Sequence, residues 1–337
     1  MSQTQTAQSI TATEAQKLGR VAFVTWASQA RATGVGEALG ATVYTPAPRL
    51  EVAPWPLRYA LQGLLTVVFV VRRRPDHVLF TNPPFIVGSL LIALSRLLGF
   101  SVWCDAHSGA FDDPRWSRFA RANARVLRSS TGVIVANELL AVSLREQQLD
   151  PLVVTSPPLV ARPGPTSASG PLVATLGYSF DEPLRELLDA VRLVPDIDVV
   201  FTGRAPDWVR EAAPPNCSIP GWLSTEDYSR MLSESRGVIC LTTREATMQT
   251  GAYEAVEHGV PMILSGTRML RDYFNLPGTL FVEDHTPEHL AEAMRRVIKD
   301  QEQLRQQALE SRDVYIQRSH EQFLALRTAL AVARPRP

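Results

Sequence analysis

Short apolar runs of five to seven residues, each closed by a polar or glycine- or proline-bearing turn and followed by a stretch of helical period, recur along most of this 337-residue chain. In the first half they are residues 20–26 (RVAFVTW), 77–81 (HVLFT), 101–105 (SVWCD) and 132–136 (GVIVA). In the second half they are 172–176 (LVATL), 198–202 (DVVFT), 237–241 (GVICL) and 261–265 (PMILS). A run too short for a helix and apolar on both faces is a strand covered on both sides. Strands alternating with helices form right-handed βαβ units around a parallel sheet. The alternation lapses at 161–171 (ARPGPTSASGP), which has no apolar period and the composition of a linker. The expected fold class is therefore α/β, with two doubly wound domains.

The expected division is a flexible tail at 1–18, a first domain at 19–160, the linker at 161–171, a second domain with a terminal helix at 172–331, and a tail at 332–337. Residues 1–18 lack the basic and apolar regions of a secretory signal. Ligands of doubly wound sheets bind beyond the carboxyl ends of the strands, so two such sheets make a cleft and the informative residues follow strands.

Composition removes several classes of function. An apolar fraction of 45% against 20% charged residues supports two cores and excludes a disordered chain. Thirty-four basic residues balance thirty-four acidic ones, so no global field points to nucleic acid. The balance hides an asymmetry, because residues 1–160 carry 15 Lys and Arg against 10 Asp and Glu, and the remainder carry 19 against 24. Cys104, Cys217 and Cys240 are odd in number and far apart, which implies free thiols in a reducing, cytoplasmic setting. The apolar run at 59–71 is shorter than the roughly 20 residues of a spanning helix. It reads as a buried or interfacial helix.

The segment 242–265 (TTREATMQTGAYEAVEHGVPMILS) carries the most chemistry. It sets Thr242, Thr243, Thr247 and Thr250 in a strand-to-helix loop, Gly251 at the helix start and Glu254 one turn inside. Free N–H groups and hydroxyls at a helix start suit a diphosphate, and Glu254 can then accept from the two hydroxyls of a ribose. An ordinary threonine-capped helix is the alternative.

Glu254-Ala-Val-Glu-His-Gly-Val-Pro-Met-Ile resembles the E-A-x-x-x-G-x-P-V-I signature of GT-B glycosyltransferases of the family-4-like group, which use nucleotide sugars. Residues 199–203, Pro220-Gly221-Trp222-Leu223 with Asp227-Tyr228, and Asp105-Ala-His107-Ser-Gly109-Ala-Phe111 resemble that group's glycine turn, base-binding segment and acceptor-side histidine loop. The resemblance implies a GT-B architecture, with two Rossmann-like domains facing across a cleft. It further implies a metal-independent transferase of a divergent bacterial surface-polysaccharide subgroup, working without a cofactor beyond its donor substrate. The implied roles are Glu254 for the ribose; Thr247, Gln249, Thr250, Gly251 and Arg204 for the diphosphate; Trp222 beside the base; Glu245 for the sugar hydroxyls; and Asp105 with His107 for acceptor activation. Two departures stand out. Eight positions before Glu254 the group's first glutamate is replaced by Ala246, with Glu245 next to it, and the loop after Leu176 (GYSFDEP) has no Arg or Lys.

Arg118, Arg121, Arg125 and Arg128 fall within about 80° on a helix, opposite Trp116, Phe119, Val126 and Leu127. This basic face suits the anionic head groups of an inner membrane surface or a lipid-linked saccharide acceptor; a solvated arginine face is the alternative. Gly34-Val-Gly36-Glu-Ala-Leu-Gly40 misses the dinucleotide fingerprint by one residue, which disfavours a nicotinamide oxidoreductase. Asp196-Ile-Asp198 precedes its strand and so lies away from a cleft, and His285 and His289 lack a third metal ligand and are expected in solvent. Two rivals share the architecture, a nucleotide-sugar epimerase and a non-catalytic GT-B subunit of a glycosyltransferase complex.

Overall fold

The computed structural model describes residues 18–27, 29–47, 54–162, 164, 165 and 168–334. It divides into two compact units, one of residues 1–158 with 321–337 and the other of residues 159–320.

The first unit runs β1 (Val21–Val24), α1 (Ala30–Ala38), β2 (Thr42–Tyr44), α2 (Trp55–Arg73), β3 (His77–Asn82), α3 (Phe85–Leu98) and β4 (Ser101–Ala106). It continues through α4 (Gly109–Asp112), α5 (Pro114–Ser117), α6 (Ala120–Ser129), β5 (Gly132–Val135), α7 (Glu138–Glu146) and β6 (Leu152–Val153). The sheet order is β2-β1-β3-β4-β5-β6, with every pairing parallel. β1, β3 and β4 are buried at every position, as expected of strands covered on both faces.

The second unit contains β7 (Leu172–Ala174), α8 (Leu184–Arg192), β8 (Val199–Thr202), α9 (Asp207–Ala212), β9 (Cys217–Gly221) and α10 (Thr225–Glu234). β10 (Gly237–Cys240), α11 (Thr250–His258), β11 (Met262–Ser265), α12 (Arg268–Tyr273), β12 (Thr279–Val282), α13 (Pro287–Lys299) and α14 (Gln301–Val332) complete the chain. Its parallel sheet has the order β12-β11-β10-β7-β8-β9. The order reverses between β7 and β10, and that switch point is where a doubly wound sheet opens a crevice.

Three expected boundaries move. Leu18 is not tail but part of the first core, while residues 1–17 and 335–337 lie outside the described residues. The described residues of the 161–171 segment are tied to the second unit: Arg162 donates from N–H to Glu257 O and from Nε to its carboxylate, and Gly170 N–H donates to Glu234 O. The terminal helix is shared, because Phe323, Leu326 and Leu330 of α14 fill the first core beside Leu18, Phe23 and Ile134. Helical period predicts that α14 has an apolar stripe but not which core receives it.

Candidate functional site

In the second unit the chain leaves β10 into a loop that is locked from one side. The buried Asp181 accepts from Thr242 Oγ1 at 2.7 Å and Ser179 Oγ at 2.5 Å, and its carbonyl accepts from Thr243 N–H at 2.7 Å. Thr242 and Thr243 are thereby committed to structure. The loop after β7 is closed on itself as well: Glu182 accepts from Gly177 N–H at 2.9 Å and Ser179 N–H at 3.1 Å. Burial raises the Glu182 carboxyl against the pull of those amides. These amides are already satisfied by an internal carboxylate.

The next available N–H groups at the switch point belong to α11. Its N-cap, Gln249, gives the helix no side-chain cap. Instead Gln249 Nε2 donates to Leu241 O at 2.6 Å, and its Oε1 and the Thr247 hydroxyl are buried without a partner. A helix start whose amides are uncapped, flanked by unsatisfied polar atoms, has donors to spare for an anion. Gly251 lets this helix approach the sheet, since a Cβ there would sit 1.9 Å from Thr175 Oγ1 at the end of β7. Thr250 is exposed and Glu254 follows four residues on, on the same face. Glu254 Oε2 accepts from Tyr228 OH at 2.6 Å, and burial raises both groups above their ordinary values. Gly203, at φ +85°, turns the chain after β8 where a Cβ would lie 2.8 Å from Leu176 O.

Two exposed aromatic rings flank this crevice end. The Arg204 guanidinium lies 5.8 Å from the Trp222 ring centre, and Arg244 lies 5.8 Å from Phe180. Trp222 is 78% exposed and Phe180 88%, so both present open faces. Glu245 is exposed in the same loop. His285 departs from its expected solvent position: it is half-buried, with Nε2 2.8 Å from Ser265 Oγ, which in turn accepts from Thr242 N–H at 2.8 Å. His289 is exposed and bonded to Asp284.

In the first unit Asp105 closes β4 and is fully buried. Arg31 of α1 holds it, with Nε 3.2 and 3.1 Å from the two carboxylate oxygens and a terminal nitrogen 3.1 Å from Oδ1. Arg31 also donates to Thr155 O at 3.0 Å. Burial raises the Asp105 carboxyl, but Arg31 and His107 outweigh it and hold the group well below the usual carboxylate range. An ion-paired carboxylate of that kind is a poor proton acceptor. His107, 25% exposed, has Nε2 3.1 Å from Asp105 Oδ2. With Nε2–H donated to the carboxylate, the imidazole lone pair is on Nδ1.

Sequence reasoning missed Arg31, 74 positions from Asp105, and the Thr175–Gly251 approach. It also placed all four arginines of the basic face on one helix. In the structure Arg121, Arg125 and Arg128 lie on α6 and Arg118 precedes it, at the end of α5; all four are exposed.

Residues 182–325 match a family model described as glycosyl transferase-like. Among solved structures, sucrose-phosphate synthase from Thermosynechococcus elongatus superposes with a TM-score of 0.70 at 14% identity, over 91% of this chain and 97% of that one. Anabaena Alr3699/HepE, solved with UDP and glucose, gives 0.66 at 13% identity over 93% and 100%. The fold is GT-B. A putative UDP-N-acetylglucosamine 2-epimerase from Listeria monocytogenes superposes on the GT-B chain at 0.59 and 12% identity, over 86% of this chain and 91% of that one. No curated protein sequence matches it.

Proposed function

We propose that this chain is a glycosyltransferase that moves a sugar from a nucleoside-diphosphate sugar to an acceptor hydroxyl. The observation that carries the reading is the uncapped start of α11 at the switch point, with the unpartnered Thr247 hydroxyl beside it and Glu254 one turn inside. The diphosphate takes the N–H groups of Thr250 and Gly251, with Thr247, Gln249 and Arg204 around it. Glu254, held by Tyr228, accepts from the ribose; the base stacks on Trp222, and Glu245 meets the sugar hydroxyls. The bond from C1 to the diphosphate oxygen breaks as the bond from C1 to the acceptor oxygen forms. Negative charge then develops on the leaving diphosphate, where helix amides and Arg204 stabilise it without a metal.

In the first unit His107 Nδ1 takes the acceptor's proton, with Asp105 positioning the ring. The acceptor is a lipid-linked saccharide of cell-surface polysaccharide or glycolipid synthesis, reached from the cytoplasmic side of the membrane, and Arg118, Arg121, Arg125 and Arg128 face its anionic head groups.

The likeness to UDP complexes supports the donor class. The test is calorimetric titration and thermal shift with UDP, GDP, TDP, CMP and NAD on wild type and Glu254→Gln. A nucleoside diphosphate binds the wild type, and the variant loses at least about tenfold in affinity while melting normally. Full affinity in Glu254→Gln removes the ribose assignment, and a response to NAD alone overturns the reading. A second reading, nucleotide-sugar epimerisation, is favoured by the likeness to the Listeria structure; product analysis with donor alone distinguishes it.

A further inference from the structure

α2 is turned inside out. Its buried side carries Gln62, Thr66 and Val70, and Gln62 Nε2 and Thr66 Oγ1 are hydrogen-bonded there. Gln62 Nε2 donates to Trp26 O at 2.9 Å and Pro46 O at 3.3 Å. Thr66 Oγ1 donates to Gln62 O at 2.7 Å and accepts from Trp26 Nε1 at 3.1 Å. On the opposite side stand Leu57, Leu64, Val68 and Val71, exposed by 66, 61, 37 and 46%. At about 100° per residue these four fall within about 60° of one another, and the three buried positions lie about 140° to 220° from Leu57. The hydrogen bonds to Trp26 fix the helix in this rotation, so the apolar stripe cannot turn inward. α3 lies beside it and adds Leu97 and Leu98, exposed by 81 and 44%.

The charges that these two helices carry have one sign. Neither α2 nor α3 contains an acidic residue, and their carboxyl ends carry Arg72, Arg73, Arg74 and Arg96, all exposed. Across residues 52–104 the one carboxylate is Asp76, and it is paired with Arg20. A second copy of the chain would set arginine against arginine with no carboxylate between them. Residues 1–17 offer only Met1 and Ile10 as large apolar side chains to cover it. An anionic lipid surface matches both features, with acyl chains for the leucines and phosphates for the arginines. No helix among the described residues is long and apolar enough to cross a membrane, so the element suits a surface contact.

We propose that α2 lies in the interface of an anionic bilayer, inserting Leu57, Leu64, Val68 and Val71 with Leu97 and Leu98 of α3, while Arg72, Arg73, Arg74 and Arg96 contact lipid phosphates. The inference deepens the membrane contact of the proposed function, and the test separates the two. Full-length protein is sedimented with phosphatidylcholine vesicles, with and without phosphatidylglycerol, at low and high salt. Wild type binds the anionic vesicles. Leu64→Glu/Val68→Glu loses that binding by at least about tenfold at both salt concentrations, with an unchanged melting temperature; Leu64→Ser serves in its place if the double variant melts lower. Absence of wild-type binding overturns the inference together with the membrane contact of the arginine face. Binding lost in Arg121→Gln/Arg125→Gln but kept in the leucine variant overturns the inference alone. A wild-type dimer in solution that Leu64→Ser dissociates, with unaltered vesicle binding, overturns it in favour of self-association.

Discussion

Replacing Arg31 by Met isolates the energetics of the Asp105 cluster. Asp105 is fully buried, and Arg31 supplies three of the nitrogen contacts to its carboxylate, at 3.1 to 3.2 Å. Removing the guanidinium while keeping a side chain of similar length leaves a buried carboxylate with His107 as its remaining ionic partner, at a cost of about 3–5 kcal/mol. The pH dependence follows from the direction of the shift. In the wild type the Asp105 carboxyl titrates below its ordinary value, so its contribution is present above the unfolded value and is lost as pH falls through the folded one. In Arg31→Met burial is no longer outweighed, the carboxyl moves up, and protonation relieves part of the penalty. The gap between variant and wild type is therefore widest near neutral pH and narrows on acidification. Urea unfolding followed by tryptophan fluorescence, to which the buried Trp26 and Trp103 of the same unit contribute, measures it. Arg31→Met/Asp105→Asn recovers much of the loss, because a neutral amide needs no counter-ion. A penalty under about 1 kcal/mol, or one equal at every pH, refutes the reasoning.

Gly251→Ala places a methyl 1.9 Å from Thr175 Oγ1 and 2.6 Å from its Cβ and is expected to cost about 1–3 kcal/mol and to weaken nucleotide binding; Thr175→Gly in the same chain, which removes both atoms, recovers part of each loss in melting and titration experiments. Burial and the nearby Arg162, Arg305 and Arg312 push His258 down to about 4. Its neutral form is thus favoured in the folded unit, and stability falls as pH drops from the ordinary histidine value of about 6.5 toward 4. His258→Gln flattens that part of the stability profile of residues 159–320, measured by urea titration at several pH values.

The strands were legible because two-sided burial favours short apolar runs: VAFV is apolar throughout, and VLF and VWC form the centres of HVLFTN and SVWCDA. The helix that opens at Thr250 was legible for a similar reason, since its start, Gly251 and Glu254 lie within one turn and a half of chain. What escaped the sequence is what depends on distant contacts. Arg31 and Asp105 meet only because β1 and β4 belong to one sheet, and no local pattern joins positions 74 apart. α2 shows a further limit. Periodicity identifies two faces of a helix, and hydrophobicity would have put the leucine face inside; the Trp26 hydrogen bonds reverse that choice.

The first unit also depends on a stretch of chain translated long after its own strands. Phe323, Leu326 and Leu330 complete its core, and Gln322 Oε1 accepts from Thr155 N–H at 3.1 Å and from its hydroxyl at 2.8 Å. Thr155 is the residue whose carbonyl holds Arg31. During synthesis residues 18–158 leave the ribosome first, yet they must wait through the whole of residues 159–320 before these groups arrive. A chain ending before residue 322 would hold all of the second unit but a first unit with an open core, and Thr155, which holds Arg31 beside Asp105, would lack its fastening.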